Sequence, residues 1–318
     1  MTGAADLVRQ IVAGGGLTDP AWRDAFAAVP REVFVPAYFA ALGGGPDDGG
    51  RRLWRDDPDP ARRAQWHDGV YDDVPLATRL RDGELVSSSS QPSLMARMLQ
   101  ALDVADGMRV LEIGTGSGYN AALLSRRLGE QRVTSVEYDP DIATAARSHL
   151  REAGYRPSVV TGDGALGCPA HAPYDRILAT CAVRAVPPAW LEQCRPGGLV
   201  LTPLATGLLA LRVAGPARGS GHFLDGPAFF VPLRGTPPPA VSGAVPLTGV
   251  PRRAQRADSF RFLLALTGGR VPPRAAYEIW RAERRPARER YGVTVRGDGQ
   301  WAWLDAEDGP YVWPLPGS

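Results

Sequence analysis

The middle of the chain alternates short apolar runs with segments of helical spacing. Val110 to Ile113 is a brief, largely apolar run that suits a buried strand, and Tyr119 to Leu128 carries Ala122, Leu123 and Leu124 at helical spacing. Gly114, Gly116 and Gly118 stand between them, so the expected order is strand, glycine turn, helix. Val133 to Val136, Ser158 to Thr161 and Tyr174 to Thr180 read as further strands, with Arg195-Pro196-Gly197-Gly198 turning into a fifth at Leu199 to Leu201. Pro187, Pro188 and Trp190 introduce a helix before that turn, and Phe229 to Leu233 is expected as the last strand. Strands separated by helices in this order predict an α/β fold on a doubly wound, Rossmann-like sheet.

Outside this core the pattern changes. Leu7, Val8 and Ile11 form one helical stripe, and Asp19-Pro20 supplies the cap and first turn of a second, ahead of Trp22, Phe26 and Val29. Gly43 to Pro60 is dominated by Gly, Pro, Asp and Arg and is expected to be an exposed, partly mobile insertion. Leu94, Met98 and Leu102 recur every four residues after Pro92, which places Ser87 to Gln91 at a helix N-terminus. Thr236 to Val250 is a proline-rich connector, and beyond it Arg281, Arg284, Arg285 and Arg288 have the spacing of a solvated helix face. Gln300 to Leu304 and Tyr311 to Trp313 flank Asp308-Gly309-Pro310 as a hairpin would. Three segments follow: an N-terminal helical, substrate-side part at 1–82, a sheet core at 83–235 and a C-terminal extension with helix and hairpin at 236–318.

Composition narrows the partners. The 318 residues are 44% apolar with a formal charge of +2, which gives a substantial core and no global pull toward nucleic acid or a membrane surface. No stretch approaches a membrane span and no apolar leader follows a basic start, so a cytoplasmic protein is expected. All 36 basic residues are arginine, which removes lysine nucleophiles and Schiff bases. Cys168, Cys181 and Cys194 fit neither a disulfide framework nor a zinc site; no metal is expected, and nothing sets an oligomeric state. Arg252 to Arg296 holds twelve arginines against four acids, a balance that suits acidic peptide better than RNA.

The glycine turn carries the candidate chemistry. Its backbone can approach a ligand closely, and the following helix aims free amides at that place. Tyr119 stands where a dinucleotide fingerprint needs its third glycine, so the spacing disfavours a dinucleotide. Glu112 precedes the turn, Glu137 ends the next strand where a ribose would lie, and Asp163 follows the one after, in Gly162-Asp163-Gly164. The serines before Pro92 add hydroxyl donors to a helix N-terminus, a setting for an anion, though an N-cap in a flexible loop would have the same residues.

Three acidic strand ends around Gly-x-Gly-x-Gly resemble the class I S-adenosylmethionine-dependent methyltransferases. The resemblance implies a cofactor site formed by Glu112, Gly114, Thr115, Gly116, Ser117, Gly118, Tyr119, Glu137, Tyr138, Asp163 and Gly164, with Glu112 toward the amino acid, Glu137 at the ribose and Asp163 at the adenine. Val-Pro-Arg-x-x-Phe-Val-Pro from Val29, Tyr-x-Asp-x-Pro-Leu from Tyr71, Ser-Gln-Pro at 90–92 and Glu-Ile-Gly-Thr-Gly-Ser-Gly-Tyr from Glu112 together resemble the protein-L-isoaspartate O-methyltransferase family. That resemblance covers Ala21 to Leu204 and implies that Ser88, Ser89, Ser90 and Gln91 hold a substrate carboxylate. S-adenosylhomocysteine would be the product.

Two departures stand out. Four serines replace the family's Gly-Gln-Thr-Ile-Ser run, and the chain continues for about a hundred residues past the sheet. The expected activity is therefore carboxyl O-methylation of an aspartyl side chain in a ribosomally made peptide, leading through the ester to a succinimide, with the extension docking the peptide. Isoaspartyl repair of damaged proteins and an RNA-binding or non-catalytic module are the alternatives. A base methyltransferase is disfavoured, because no Asn-Pro-Pro-aromatic or Pro-Cys motif occurs after the fourth strand.

Overall fold

The computed structural model of the chain describes residues 3–40, 51–235 and 246–315, which divide into two compact units, Met1–Gly162 and Asp163–Ser318. In the first unit, helices α1 (Ala4–Ala13) and α2 (Pro20–Ala28) and the single turn α3 (Arg31–Phe34) bury Leu7, Ile11, Trp22, Phe26 and Phe34. A small antiparallel sheet follows, made of β1 (Ala37–Ala40), β2 (Arg51–Trp54), β3 (Leu76–Arg81) and β4 (Glu84–Ser89) in the order β2-β1-β3-β4, with α4 (Pro60–Val70) after β2. Helix α5 (Pro92–Ala101) leads to the parallel strands β5 (Val110–Ile113), β6 (Val133–Glu137) and β7 (Ser158–Thr161), joined through α6 (Tyr119–Leu128) and α7 (Pro140–Glu152). Helices α2, α4 and α7 all begin Asp-Pro: Asp19, Asp59 and Asp139 accept amide hydrogens of the first turn while proline fills the position that needs no donor.

Two expectations for this unit change. Ser87 to Ser89 lie in a strand, and only Ser90 and Gln91 stand at the helix N-terminus, because Asp82 and Gly83, both at positive φ, form the tight turn that lays β4 back on β3, with Leu76 opposite Ser89 and Ala77 opposite Ser88. The stretch from Gly43 to Pro60 is only partly irregular. Residues 41–50 lie outside the described residues, whereas Arg51–Trp54 forms β2, Leu53 is buried, and Asp57 is buried with its carboxylate accepting from the Asp59 amide.

The second unit opens with β8 (Tyr174–Ala179), helix α8 (Pro188–Gln193) and β9 (Cys194–Leu204), the last parallel to β8. From β9 the sheet runs antiparallel through β10 (Gly207–Gly215), β11 (Arg218–Phe223), β12 (Tyr291–Arg296), β13 (Gly299–Leu304) and β14 (Val312–Pro314). Helices α9 (Arg252–Gln255), α10 (Asp258–Leu266) and α11 (Pro273–Ala282) lie between β11 and β12 in sequence. The aromatic hairpin at the C-terminus is present, with Trp301 opposite Pro314 and Trp303 opposite Val312. Arg218 to His222 pair with β12 in register, so the residues beyond 245 extend this sheet.

Phe229 to Leu233 is not a strand. Pro232 removes a ladder donor, Phe229 is 68% exposed, and a single bridge from Pro232 to Ala182 is all that pairs. The four-arginine helix face is also absent. Helix α11 stops at Ala282, Arg284 and Arg285 both take positive φ, and the Arg285 amide closes the end on the Trp280 carbonyl. Pro286 explains the stop, since a residue before proline is pushed out of the helical region. Arg288 then turns inward, buried over the Phe262 ring and paired with Asp258.

Candidate active site

The glycine turn is tied to the strand beside it. The Gly114 amide donates to the Val136 carbonyl at 2.8 Å and the Gly116 amide to a Glu137 carboxylate oxygen at 2.9 Å. Gly118 caps α6 at φ +90, where a Cβ would meet Leu150 at 3.3 Å, and at Gly116, φ +54, a Cβ would meet the Ser88 carbonyl at 3.5 Å. His149 on α7 hydrogen-bonds the Ser117 carbonyl through Nδ1 at 3.0 Å. The turn is therefore held from β6 and α7, with β4 passing over it.

Below the turn lies a buried polar chain. Glu112 is fully buried and accepts from Asn120 Nδ2 at 2.7 Å and from the Ser135 hydroxyl, which also meets the Thr115 hydroxyl at 2.6 Å. Burial pushes the Glu112 carboxyl up to about 7, opposed by the hydrogen bonds from Ser135 and Asn120 and aided by the charge of Glu137. The Asn120 side-chain oxygen is buried with no partner, a polar atom that a donor such as an ammonium group would satisfy. Asn120 carries the unmet acceptor of this chain of groups. Tyr119 is buried as well, edge-on to Phe26 at 6.3 Å and under the Arg31 guanidinium at 6.0 Å.

At the end of β6, Glu137 accepts from the Gly116 and Asp139 amides, which leaves lone pairs for two hydroxyl donors. Tyr138 beside it is 50% exposed, a free aromatic face. Asp139 caps α7 and accepts from Arg81 at 2.7 Å, so β3 is fastened to the same corner; the amides of Ile142 and Asp141 and the Arg81 guanidinium hold its carboxyl below its ordinary value against the effect of burial. In the second unit, Asp163 accepts from the Ala165 amide at 2.9 Å, the Gly164 carbonyl accepts from Trp190 Nε1 at 2.8 Å, and Gly235 lies against the Asp163 carboxylate. Among the described residues no group of three or more His, Cys, Asp or Glu side chains could hold a metal ion.

Strand alternation divides the serine run. Ser87 and Ser89 are buried, the first accepting from Thr78 at 3.0 Å and the second meeting Arg31 at 3.4 Å, whereas Ser88 is half-buried on the other face and Ser90, past the end of β4, is half-buried too. Arg31 is wholly buried and donates to the carbonyls of Val70 at 2.7 Å, Asp72 at 3.0 Å, Val74 at 3.3 Å and Ser90 at 3.2 Å, as well as to Ser89. Burial lowers its guanidinium to about 10 despite the nearby Tyr119, Asp73 and Asp72. Asp73 accepts from the Ser93 amide at 2.8 Å and from Gln91 at 3.3 Å. The first turn of α5 therefore already holds a carboxylate, and the anion site expected there is taken by Asp73. Spacing alone gives Arg31, Asp73 and Asn120 no role; the signal for the first two is that they stand inside Val-Pro-Arg-x-x-Phe-Val-Pro and Tyr-x-Asp-x-Pro-Leu.

A parallel β-α-β core with a glycine turn, an acid at the end of its second strand and an open aromatic beside it is the nucleoside-binding half of a Rossmann-like methyltransferase. Comparison with known proteins names the family. The profile of Protein-L-isoaspartate(D-aspartate) O-methyltransferase matches residues 62–214. The protein-L-isoaspartate O-methyltransferase of Ignicoccus hospitalis is 33% identical over 201 residues, 63% of this chain and 80% of that one. A solved protein-L-isoaspartate O-methyltransferase shares the fold over 99% of this chain and 88% of its own, with TM-score 0.59 and 24% identity. Another, a putative enzyme of Plasmodium falciparum in complex with S-adenosyl-L-homocysteine, matches with TM-score 0.55 and 14% identity over 74% of this chain and all of that one. The chain belongs to the protein-L-isoaspartate O-methyltransferase family and is an S-adenosylmethionine-dependent protein carboxyl O-methyltransferase.

Proposed function

We propose that the chain methylates the carboxylate of a particular aspartate in one ribosomally made peptide and so commits it to succinimide formation. The observation that carries this reading is the serine run: Ser87 and Ser89 are buried on Thr78 and Arg31, Ser88 and Ser90 stay half-buried, and the Ser88 backbone runs against Gly116. Bound S-adenosylmethionine supplies an electrophilic methyl group on a sulfonium. On this reading Glu137 would accept from its ribose hydroxyls, Tyr138 would lie on its adenine and Asn120 would accept from its ammonium group; the lone pairs left on Glu137, the exposed ring of Tyr138 and the partnerless Asn120 oxygen support these roles. Ser88 and Ser90 orient the acceptor carboxylate.

A carboxylate with an ordinary pKa near 3.9 is already ionised at neutral pH, so no general base is needed. The residues act by alignment and by exclusion of water. The product ester is a better electrophile than the carboxylate. The backbone nitrogen of the next residue in the peptide attacks the ester carbonyl, its proton leaves with the methoxide as methanol, and a five-membered ring closes.

The repair of isoaspartyl proteins is a second reading, and one observation favours it: the fold match to a protein of that name spans the C-terminal extension too, so the extension alone does not mark a specialised enzyme. The deciding experiment compares methyl transfer to a generic isoaspartyl peptide with transfer to the peptide encoded beside the gene. The proposal expects the encoded peptide to be preferred and to end about 18 Da lighter, with Glu137→Ala inactive on both. Efficient turnover of the generic peptide alone would establish repair instead.

A further inference from the structure

The helices between β11 and β12 hold a cleft of about 510 Å³ lined by Leu247, Gln255, Arg256, Arg261 and Leu264. Gln255 fixes one wall by donating to the Val250 carbonyl at 2.8 Å and the Leu247 carbonyl at 3.4 Å, which ties the approach to α9 onto that helix. Leu247 and Leu264 present apolar surface. Arg256 and Arg261 are exposed at the cleft, and Arg252 and Arg253 are exposed on α9.

Four other arginines of this segment are already paired. Arg274 pairs with Glu278, Arg288 with Asp258, Arg290 with Glu283 and Asp305, and Arg296 with Glu307. Among the described residues no carboxylate lies within ion-pair distance of Arg252, Arg253, Arg256 or Arg261. The acid that acts on Arg261, Asp258, is held by Arg288. The volume lies within the roughly 300–1,000 Å³ of ligand sites, and unpaired cations around a leucine-lined cleft complement a ligand with carboxylates flanking an apolar side chain.

We infer that this cleft is a docking site for an acidic, leucine-bearing segment of the substrate peptide, apart from the residue that is methylated. The inference rests on the reading that the acceptor belongs to one dedicated peptide. Arg256 and Arg261 engage the carboxylates of the segment, Leu247 and Leu264 receive its apolar side chain, and Arg252 and Arg253 raise the rate of encounter.

The test uses the full chain and a fluorescein-labelled synthetic peptide in which leucines alternate with pairs of glutamates, with a counterpart carrying lysine for glutamate. Anisotropy is expected to show saturable, salt-sensitive binding of the acidic peptide and none of the basic one. Arg256→Glu with Arg261→Glu should weaken binding about tenfold, since each change replaces an attraction by a repulsion. Leu264→Asn should weaken it without changing the salt dependence. S-adenosylmethionine binding by both variants, unchanged from the parent, confirms that they fold. Equal binding of the basic peptide, indifference to the charge reversal, or tighter binding of a short single-stranded RNA would overturn the inference. Because the probe contains neither aspartate nor isoaspartate and the charge-reversal variants sit in the cleft, docking stands or falls here independently of whether the tailoring reaction occurs.

Discussion

Replacing Arg31 by alanine removes a cation that no solvent reaches and that five acceptors surround. The bonds to the Val70 and Asp72 carbonyls, at 2.7 and 3.0 Å, are the strong ones; the other three, at 3.2 to 3.4 Å, are weaker. A charged donor contributes about 1.5–3 kcal/mol net per good bond, and relief of the buried charge offsets part of the loss, so the expected destabilisation is about 3 kcal/mol. For a unit of this size that lowers Tm by roughly 6–12 °C. Function should suffer in one direction. Ser89 and Ser90 lose their common anchor, so KM for the peptide should rise about tenfold, while the contacts of Glu137 with the glycine turn persist and S-adenosylmethionine affinity stays within about threefold. Arg31→Lys keeps a charge but not the planar fork and should fall between parent and alanine on both measures. Urea unfolding followed by circular dichroism, calorimetry with the cofactor and steady-state methyl transfer give the three quantities. A variant within about 0.5 kcal/mol of the parent with unchanged peptide KM would refute the reasoning. An equal loss of cofactor affinity would place the clamp on the glycine turn.

Two further outcomes follow from buried charges. Glu112 has a folded pKa raised to about 7, so the folded state holds its proton more tightly than the unfolded chain; its contribution is neutral below the ordinary carboxylate value, falls as pH rises toward 7, and then stays at a penalty of about 3 kcal/mol. Glu112→Gln should remove that slope, and parallel pH dependences of unfolding for parent and variant would contradict it. Arg288 holds the Asp258 carboxyl below its ordinary value, a contribution fully present above that value and lost as pH falls through the lowered one. Arg288→Ala should abolish this acid-side loss and destabilise the second unit by about 2 kcal/mol, because Asp258 remains half in water; thermal melts at neutral and acid pH measure both.

Much of the methyltransferase core was legible because its signals are local. Gly114, Gly116 and Gly118 between Ile113 and Tyr119, Asp19 before Pro20, and tryptophans at alternate positions around Asp308-Gly309 each specify a turn, a cap or a strand within a few residues. The β3–β4 hairpin was also written locally, in Asp82-Gly83, but the helix signal of Pro92 drew the serines into the wrong element. Other features were decided by contacts that no spacing encodes. Which serines are buried depends on β4 lying beside β3, and their anchoring depends on a guanidinium some sixty residues upstream, where 58 positions separate Arg31 from Ser89. Arg281, Arg284, Arg285 and Arg288 had helical spacing, yet Pro286 ended the helix and the Phe262 ring with Asp258 drew Arg288 inside. Local sequence sets backbone conformation through sterics and hydrogen bonds over one turn. The pairing of strands and the burial of a charge are settled by free energies summed over the whole packed unit, and only the tertiary structure displays that sum.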